Sequence, residues 1–246
     1  MGKLLGVEDK YQDISFRYLF IEEKKYDKVM FFFHGFSGNR YSIEIDWINK
    51  ITEKGYLLII LDAFNHGDRI SSEYQKLNNS NKQKLIIDTE IRTAEDAVKV
   101  YDYLLEKSVI SSDMQVTSMG VSMGAAVAFY FTTIFNNAKT LISLIGSPSF
   151  VEFYKYKQEV YRFENNEEFE ERLKRYSKID PLINYHLLEG KKILMTGGLK
   201  DRIVPLDYAK ALSKKIDSTF IEYNLEHEVN KEMMEDVYDF IDLHLS

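Results

Sequence analysis

The chain has 246 residues, 45% of them hydrophobic and 29% charged, with a net charge of −7 and no cysteine. That length suits a single α/β domain with a well-developed core, and no apolar run is long enough to cross a bilayer. Basic residues scattered among acids exclude the electrostatic footprint of a nucleic-acid binder, and the lack of cysteine excludes a disulfide framework, a thiolate nucleophile and a Cys-based metal site.

In chain order, Met1-Gly2-Lys3-Leu4-Leu5-Gly6-Val7-Glu8 turns acidic before a signal-peptide core develops, and Gly6 stands where a myristoylation motif has Ser or Thr. This predicts a cytoplasmic protein without a lipid anchor or membrane partner. The run from Ile14 to Ile21 alternates and predicts an antiparallel edge strand. Lys28 to Phe33 and Tyr56 to Leu61 are almost wholly apolar, as strands buried on both faces must be. Further strands are predicted over Met114 to Thr117, Leu141 to Ile145, Lys192 to Thr196 and Thr219 to Tyr223.

Helices are predicted over Ile43 to Lys54, Lys82 to Lys107, Ser122 to Phe135, Leu206 to Lys215 and Lys231 to Leu245. In the long one, Ile91, Ala94, Val98, Tyr101 and Leu105 recur at helical spacing and predict its core face. Strands alternating with helices predict one α/β domain over residues 1–246, with a mostly parallel central sheet covered on both faces. Two stretches break the rhythm. Asp68 to Asn81 is polar and turn-rich, which predicts a surface loop. Residues 148–181 carry charges together with Phe150, Phe153, Tyr154, Tyr156, Tyr161, Phe163, Phe169 and Tyr176, which predicts a small helical insertion serving as a cap or lid over an active site.

The pentapeptide Gly120-Val121-Ser122-Met123-Gly124 joins a β-branched run to the small-residue stretch Ala125-Ala126-Val127-Ala128. A serine hydroxyl is a poor nucleophile until a base takes its proton, so it must be thrust out of the fold on a tight strand-to-helix turn. Glycines two residues to either side make room for that turn. Of the five histidines, His227 follows the last predicted strand and precedes the last helix, where a base can reach the carboxyl ends of parallel strands. His186 precedes a strand, at the wrong end of the sheet, and His244 sits near the chain terminus.

A carboxylate must hold the imidazole in one tautomer, and Asp201 follows the strand and glycine turn of Leu194-Met195-Thr196-Gly197-Gly198. Asp207 is its nearest competitor, although its place after Pro205 suits the first turn of a helix. For a tetrahedral oxyanion, backbone N–H donors are expected from Met123, at a helix start, and from Phe36, with Gly35 giving the close approach. His34 then reads as a residue that orders this loop by hydrogen bonds, though taken alone it also allows a base.

Four motifs in order, His34-Gly35-Phe36, Asp62-Ala63-Phe64-Asn65-His66-Gly67-Asp68-Arg69, the Ser122 pentapeptide, and Gly198-Leu199-Lys200-Asp201 followed by His227, make the chain resemble an α/β-hydrolase. In particular it resembles the small bacterial carboxylesterases of the dienelactone-hydrolase and prolyl-oligopeptidase-like branch. The resemblance implies a Ser-Asp-His triad acting through an acyl-enzyme with no cofactor and no metal. It also implies that Asp62, His66 and Arg69 organise their loop rather than react. The short N-terminal part predicts a trimmed sheet. The leading expectation is a serine carboxylesterase cleaving a small ester. The alternatives are a peptidase of the same branch and a non-catalytic binding module on the same fold.

Overall fold

The central strands form where apolar residues run almost without interruption, and in the computed structural model, which describes residues 2–245, eight strands make one sheet. They are β1 (Leu4–Tyr11), β2 (Ile14–Ile21), β3 (Lys28–Phe33), β4 (Tyr56–Leu61), β5 (Gln115–Val121), β6 (Ala138–Leu144), β7 (Lys192–Gly198) and β8 (Thr219–Tyr223). Their order across the sheet is β1-β2-β4-β3-β5-β6-β7-β8. β1 pairs antiparallel with β2 and β2 antiparallel with β4, while every later pairing is parallel. Met1 and Ser246, the ends of the domain read from the sequence, lie outside the described residues.

Alternate side chains of β3 serve opposite faces. Val29, Phe31 and Phe33 join the core under α4 (Ile86–Glu106), α5 (Met123–Ile134) and α8 (Asp207–Ser213). Met30 and Phe32 join the core under α1 (Ile45–Glu53) and α9 (Lys231–Leu245). Each such fully buried side chain contributes about 1.5–3 kcal/mol over an exposed one, which is why an almost wholly apolar strand is stable only between two helical layers. The small residues Ala125, Ala126 and Ala128 let α5 lie buried between the sheet and α4.

Several expectations are corrected. β2 is antiparallel but not at the edge, because β1 pairs along its outer side. The sheet therefore has eight strands, one more than the seven runs read from the sequence. β1 escaped notice because it is half-exposed and mixes Gly6, Glu8, Asp9 and Lys10 with its apolar residues, as an edge strand does. The expected loop over Asp68 to Asn81 contains a 3₁₀ turn at Gly67–Arg69, the short helix α2 (Ser72–Lys76) and the start of α3 (Asn79–Lys84). Ser71 and Asn78 cap these helices by accepting the N–H groups of Tyr74 and Asn81. The long helix is thus two, broken at Leu85, and its buried face centres on Ile87, Glu90, Ala94, Ala97, Tyr101 and Leu104, with Ile91, Val98 and Leu105 at its margin.

The inserted stretch between β6 and β7 folds into α6 (Phe150–Tyr161) and α7 (Glu167–Ser177). Ser149 and Asn166 cap them, and Glu167, Glu168 and Glu170 at the start of α7 face Lys174 and Arg175 at its end, in the sense the helix dipole favours. Tyr154 of α6 packs against the rings of Phe163, Phe169 and Tyr176 at 5.1–5.3 Å. Asp88 of α4 receives Arg172, Arg175 and Tyr176 of α7. At the foot of the excursion, the buried Asp180 carboxylate accepts from the Ser149 hydroxyl at 3.0 Å and from the Val151 N–H at 2.8 Å, and its other oxygen accepts from the Leu182 and Ile183 N–H groups. Among the described residues no helix is long and apolar enough to cross a membrane.

Candidate active site

The end of β5 and the start of α5 must approach within contact distance for Ser122 to stand between them. A Cβ on Gly124 would lie 2.0 Å from the Phe33 carbonyl oxygen, and one on Gly120 2.0 Å from that of Gly124, so only glycine fits either place. Ser122 itself has φ +56° and ψ −117°, a backbone conformation that costs a non-glycine residue of order 1–3 kcal/mol. Its neighbours fix it there: the Ser122 N–H donates to the Leu144 carbonyl and the Ala125 N–H to that of Ser122, both at 2.9 Å.

From this turn the Ser122 hydroxyl lies 2.8 Å from Nε2 of His227, and His227 Nδ1 lies 2.7 Å from Oδ2 of Asp201. The loops carrying Asp201 and His227 are held side by side. Leu199 N–H donates to the Tyr223 carbonyl at 2.8 Å and Lys200 N–H to that of Leu225 at 2.9 Å, and the missing Cβ at Gly198 would otherwise meet the Leu225 and Glu226 carbonyls at 2.5 Å. Burial alone would push the Asp201 carboxyl up. Hydrogen bonds from His227, Val204 and Ile203 outweigh it and hold the group below the usual carboxylate range. Asp201 is therefore anionic wherever the protein is folded near neutral pH. Asp207 lies in the first turn of α8, His186 in a 3₁₀ turn before β7 and His244 near the end of α9, none of them in this arrangement.

Phe36 and Met123 line the same cavity as Ser122, and neither backbone N–H has a hydrogen-bond acceptor among the described residues. The buried His34 lies behind the first of these. Its Nε2 accepts the Ala63 N–H at 3.0 Å, so its proton is on Nδ1, which donates to the Gly35 carbonyl at 2.8 Å. That carbonyl belongs to the peptide that carries the Phe36 N–H, and it also accepts the Gly38 N–H at 2.9 Å. Two donors on one carbonyl orient the peptide and polarise its N–H. Burial pushes the His34 imidazole down to about 4, so the neutral tautomer is the resting form.

The motif after β4 makes no contact with the Ser122 hydroxyl and instead ties loops together. Asp62 accepts the Asp68 N–H and both the backbone N–H and the guanidinium of Arg40. His66 meets the Phe36 carbonyl at 2.6 Å through Nε2 and that of Phe64 at 2.9 Å through Nδ1. The buried Arg69 donates to the Asp62 carbonyl at 3.1 Å and to the Asp96 carboxylate at 2.5 Å. Arg40, the partner of Asp62, escaped the sequence reading because it follows the turn 22 residues upstream of Asp62.

Ser122 and His227 open on a cavity of about 930 Å³, walled by Trp47 and Val229 on one side and by Phe153, Lys157 and Tyr161 of α6 on another. Two features of this cavity were also missed. Ile145, which lines it, has φ +49°, an uncommon value for a β-branched residue. Glu90 and Lys157 reach it as buried ionisable groups, although each occurs in a run that reads as an ordinary amphipathic helix. Among the described residues no cluster of His, Asp and Glu could hold a metal ion.

A model of the prolyl oligopeptidase family matches residues 45–232, a span that contains Ser122, Asp201 and His227. The chain is 24% identical over 220 residues to the Bacillus subtilis (strain 168) protein named "Putative esterase YitV", covering 85% of this chain and 83% of that one. Its fold is similar to that of TT1662 from Thermus thermophilus, with a TM-score of 0.75, 18% identity and 98% of each chain covered. It is also similar to acetyl xylan esterase 1 from Thermoanaerobacterium sp. JW/SL YS485, with a TM-score of 0.73 and 16% identity over 100% of this chain and 89% of that one. Both structures share the α/β-hydrolase sheet described above. With a family match across well over half of its length, the chain belongs to the prolyl oligopeptidase family of α/β-hydrolases.

Proposed function

We propose that the protein is a cytoplasmic serine carboxylesterase that cleaves a small ester through an acyl-enzyme, with Ser122 as nucleophile, His227 as general base and acid, and Asp201 as the group that orients His227. The observation that carries this reading is the relay of two short hydrogen bonds, Ser122 to His227 at 2.8 Å and His227 to Asp201 at 2.7 Å, built on a strained turn. Because Asp201 accepts at Nδ1, Nε2 is left with its lone pair toward the serine and takes its proton as Oγ attacks the ester carbonyl. The negative oxygen that forms meets the unpartnered N–H groups of Phe36 and Met123. A single donor of this kind is worth about 10²–10³ in rate. His227 passes its proton to the leaving alcohol, then activates a water that releases the acid by the same route.

The test is Ser122→Ala. It abolishes hydrolysis of p-nitrophenyl acetate and covalent labelling by a fluorophosphonate, and turnover retained by the variant overturns the reading. A second reading, a peptidase, is favoured by the family match itself. Matched ester and amide substrates separate the two, since an esterase loses most of its kcat/KM on the amide.

A further inference from the structure

The cavity beside Ser122 has a second polar end. Gln83 of α3, Glu90 of α4 and Lys157 of α6 all line it, and each is at least nine-tenths buried. Among the described residues, neither carboxyl oxygen of Glu90 nor Oε1 of Gln83 has a hydrogen-bond partner. Among the described residues Lys157 forms no ion pair or hydrogen bond through its ammonium. Its ammonium stands 4.6 Å from the centre of the Phe153 ring and 5.4 Å from that of Tyr161. Burial pushes the Lys157 amine down to about 8 against the pull of Glu90 and Asp201, and burial pushes the Glu90 carboxyl up. Buried polar groups are normally paired, by protein, by water or by a ligand, and these three converge on the one cavity that also holds Ser122.

The donor and acceptor pattern selects that ligand. Lys157 offers donors only, Gln83 Oε1 accepts only, and Glu90 accepts in either protonation state. A carboxylate or phosphate brings acceptors alone, which a protonated Glu90 can answer by donating, but it leaves the Gln83 oxygen without a donor. An ammonium brings donors alone and meets the Lys157 charge. A plain alkyl or aryl group answers none of them. A hydroxyl donates to an oxygen and accepts from an ammonium at once. We propose that Gln83, Glu90 and Lys157 form a specificity subsite for a hydroxyl-bearing part of the substrate, as in an ester of a polyol or sugar or of a polyhydroxy acid. This rests on the serine hydrolase reading of Ser122.

The experiment compares kcat/KM for matched esters with and without hydroxyls. On the alcohol side the pairs are glycerol monoacetate against propyl acetate and acetylated methyl glucoside against cyclohexyl acetate. On the acyl side the pair is p-nitrophenyl 3,4-dihydroxybutyrate against p-nitrophenyl butyrate, with p-nitrophenyl hemisuccinate and p-nitrophenyl 4-aminobutyrate as anionic and cationic controls. The expected result is a preference of roughly tenfold or more for the hydroxylated member on one side, reduced toward unity by Glu90→Gln, Lys157→Met and Gln83→Leu. Ratios near unity on both sides overturn the proposal, as does a preference for the charged controls or a preference that survives all three variants. The wild-type ratios stand even where a variant fails to fold. Fluorophosphonate labelling of wild-type Ser122 keeps the two readings apart. Without labelling the hydrolase reading fails, whereas labelling with no hydroxyl preference removes the subsite alone.

Discussion

Arg40 grips Asp62 through both carboxylate oxygens, its backbone N–H reaching Oδ1 at 2.7 Å and its Nη1 reaching Oδ2 at 2.5 Å. Asp62 is wholly buried and Arg40 nearly so, and the same guanidinium also reaches Glu8 of β1 and Asp68. Removing Asp62 leaves Arg40 only the exposed carboxylates of Glu8 and Asp68 and takes the acceptor from the backbone N–H groups of Arg40 and Asp68. Asp62→Ala is therefore expected to cost about 3–5 kcal/mol, measured as a lower urea midpoint with an unchanged slope. A midpoint equal to that of the wild type would show that the pair contributes nothing net.

His34 makes stability depend on pH below the ordinary range of histidine. Its ordinary value is 6.5 and burial holds it to about 4, so between those limits the unfolded chain binds a proton that the folded chain refuses. Stability is expected to fall as the pH drops from 6.5 toward 4, by roughly 3 kcal/mol, and to gain nothing from this group above 6.5. The loss from Asp201 comes lower, because a depressed carboxylate keeps its contribution above its unfolded value and loses it only as pH falls through its folded value, below the usual range. Urea unfolding of wild type and His34→Asn at pH 7 and pH 4.5 isolates the histidine, since the difference between the two proteins must shrink in acid.

Gly124→Ala drives a methyl group into the Phe33 and His34 carbonyls at 2.0 and 2.6 Å, backbone atoms that cannot swing aside. The expected cost is at least about 3 kcal/mol, at the top of the range for overpacking, together with loss of fluorophosphonate labelling because Ser122 loses its place. A variant that denatures at the wild-type midpoint and labels at the wild-type rate would contradict the geometry of the turn.

Asp201→Asn keeps an oxygen for the Ile203 and Val204 N–H groups but offers His227 an amide that favours the wrong tautomer. A fall in kcat of about 10⁴ is expected, with little change in unfolding midpoint. Burst kinetics on p-nitrophenyl acetate would locate the loss in acylation, and a fall of less than tenfold would remove Asp201 from the relay.

The sheet was legible where burial is complete on both faces: β3 and β4 run as the sequence predicts because almost nothing polar interrupts them, while β8, a half-exposed edge strand, was legible from its aromatic and β-branched residues between turns. β1 was not, since an exposed edge strand carries charges that mimic a loop. The positions of Ser122, Asp201 and His227 were readable because a tight glycine-flanked turn and two strand-end loops leave few other places for such side chains. Glu90 and Lys157 were not readable. Local pattern assigns a charged residue on a helix to solvent, and only the meeting of α3, α4 and α6 over the cavity turns these two inward.

The buried carboxylate of Asp180 accepts from Ser149 and Val151 where the chain leaves the sheet and from Leu182 and Ile183 where it returns. The excursion is in effect a cassette clasped at its foot, where the Leu182 N–H also meets the Pro148 carbonyl. What is threaded between Ser149 and Asp180 forms one wall of the chamber and, through the Tyr156 hydroxyl, touches the Arg202 carbonyl beside Asp201. Transplanting this segment between relatives is expected to change which molecules are admitted.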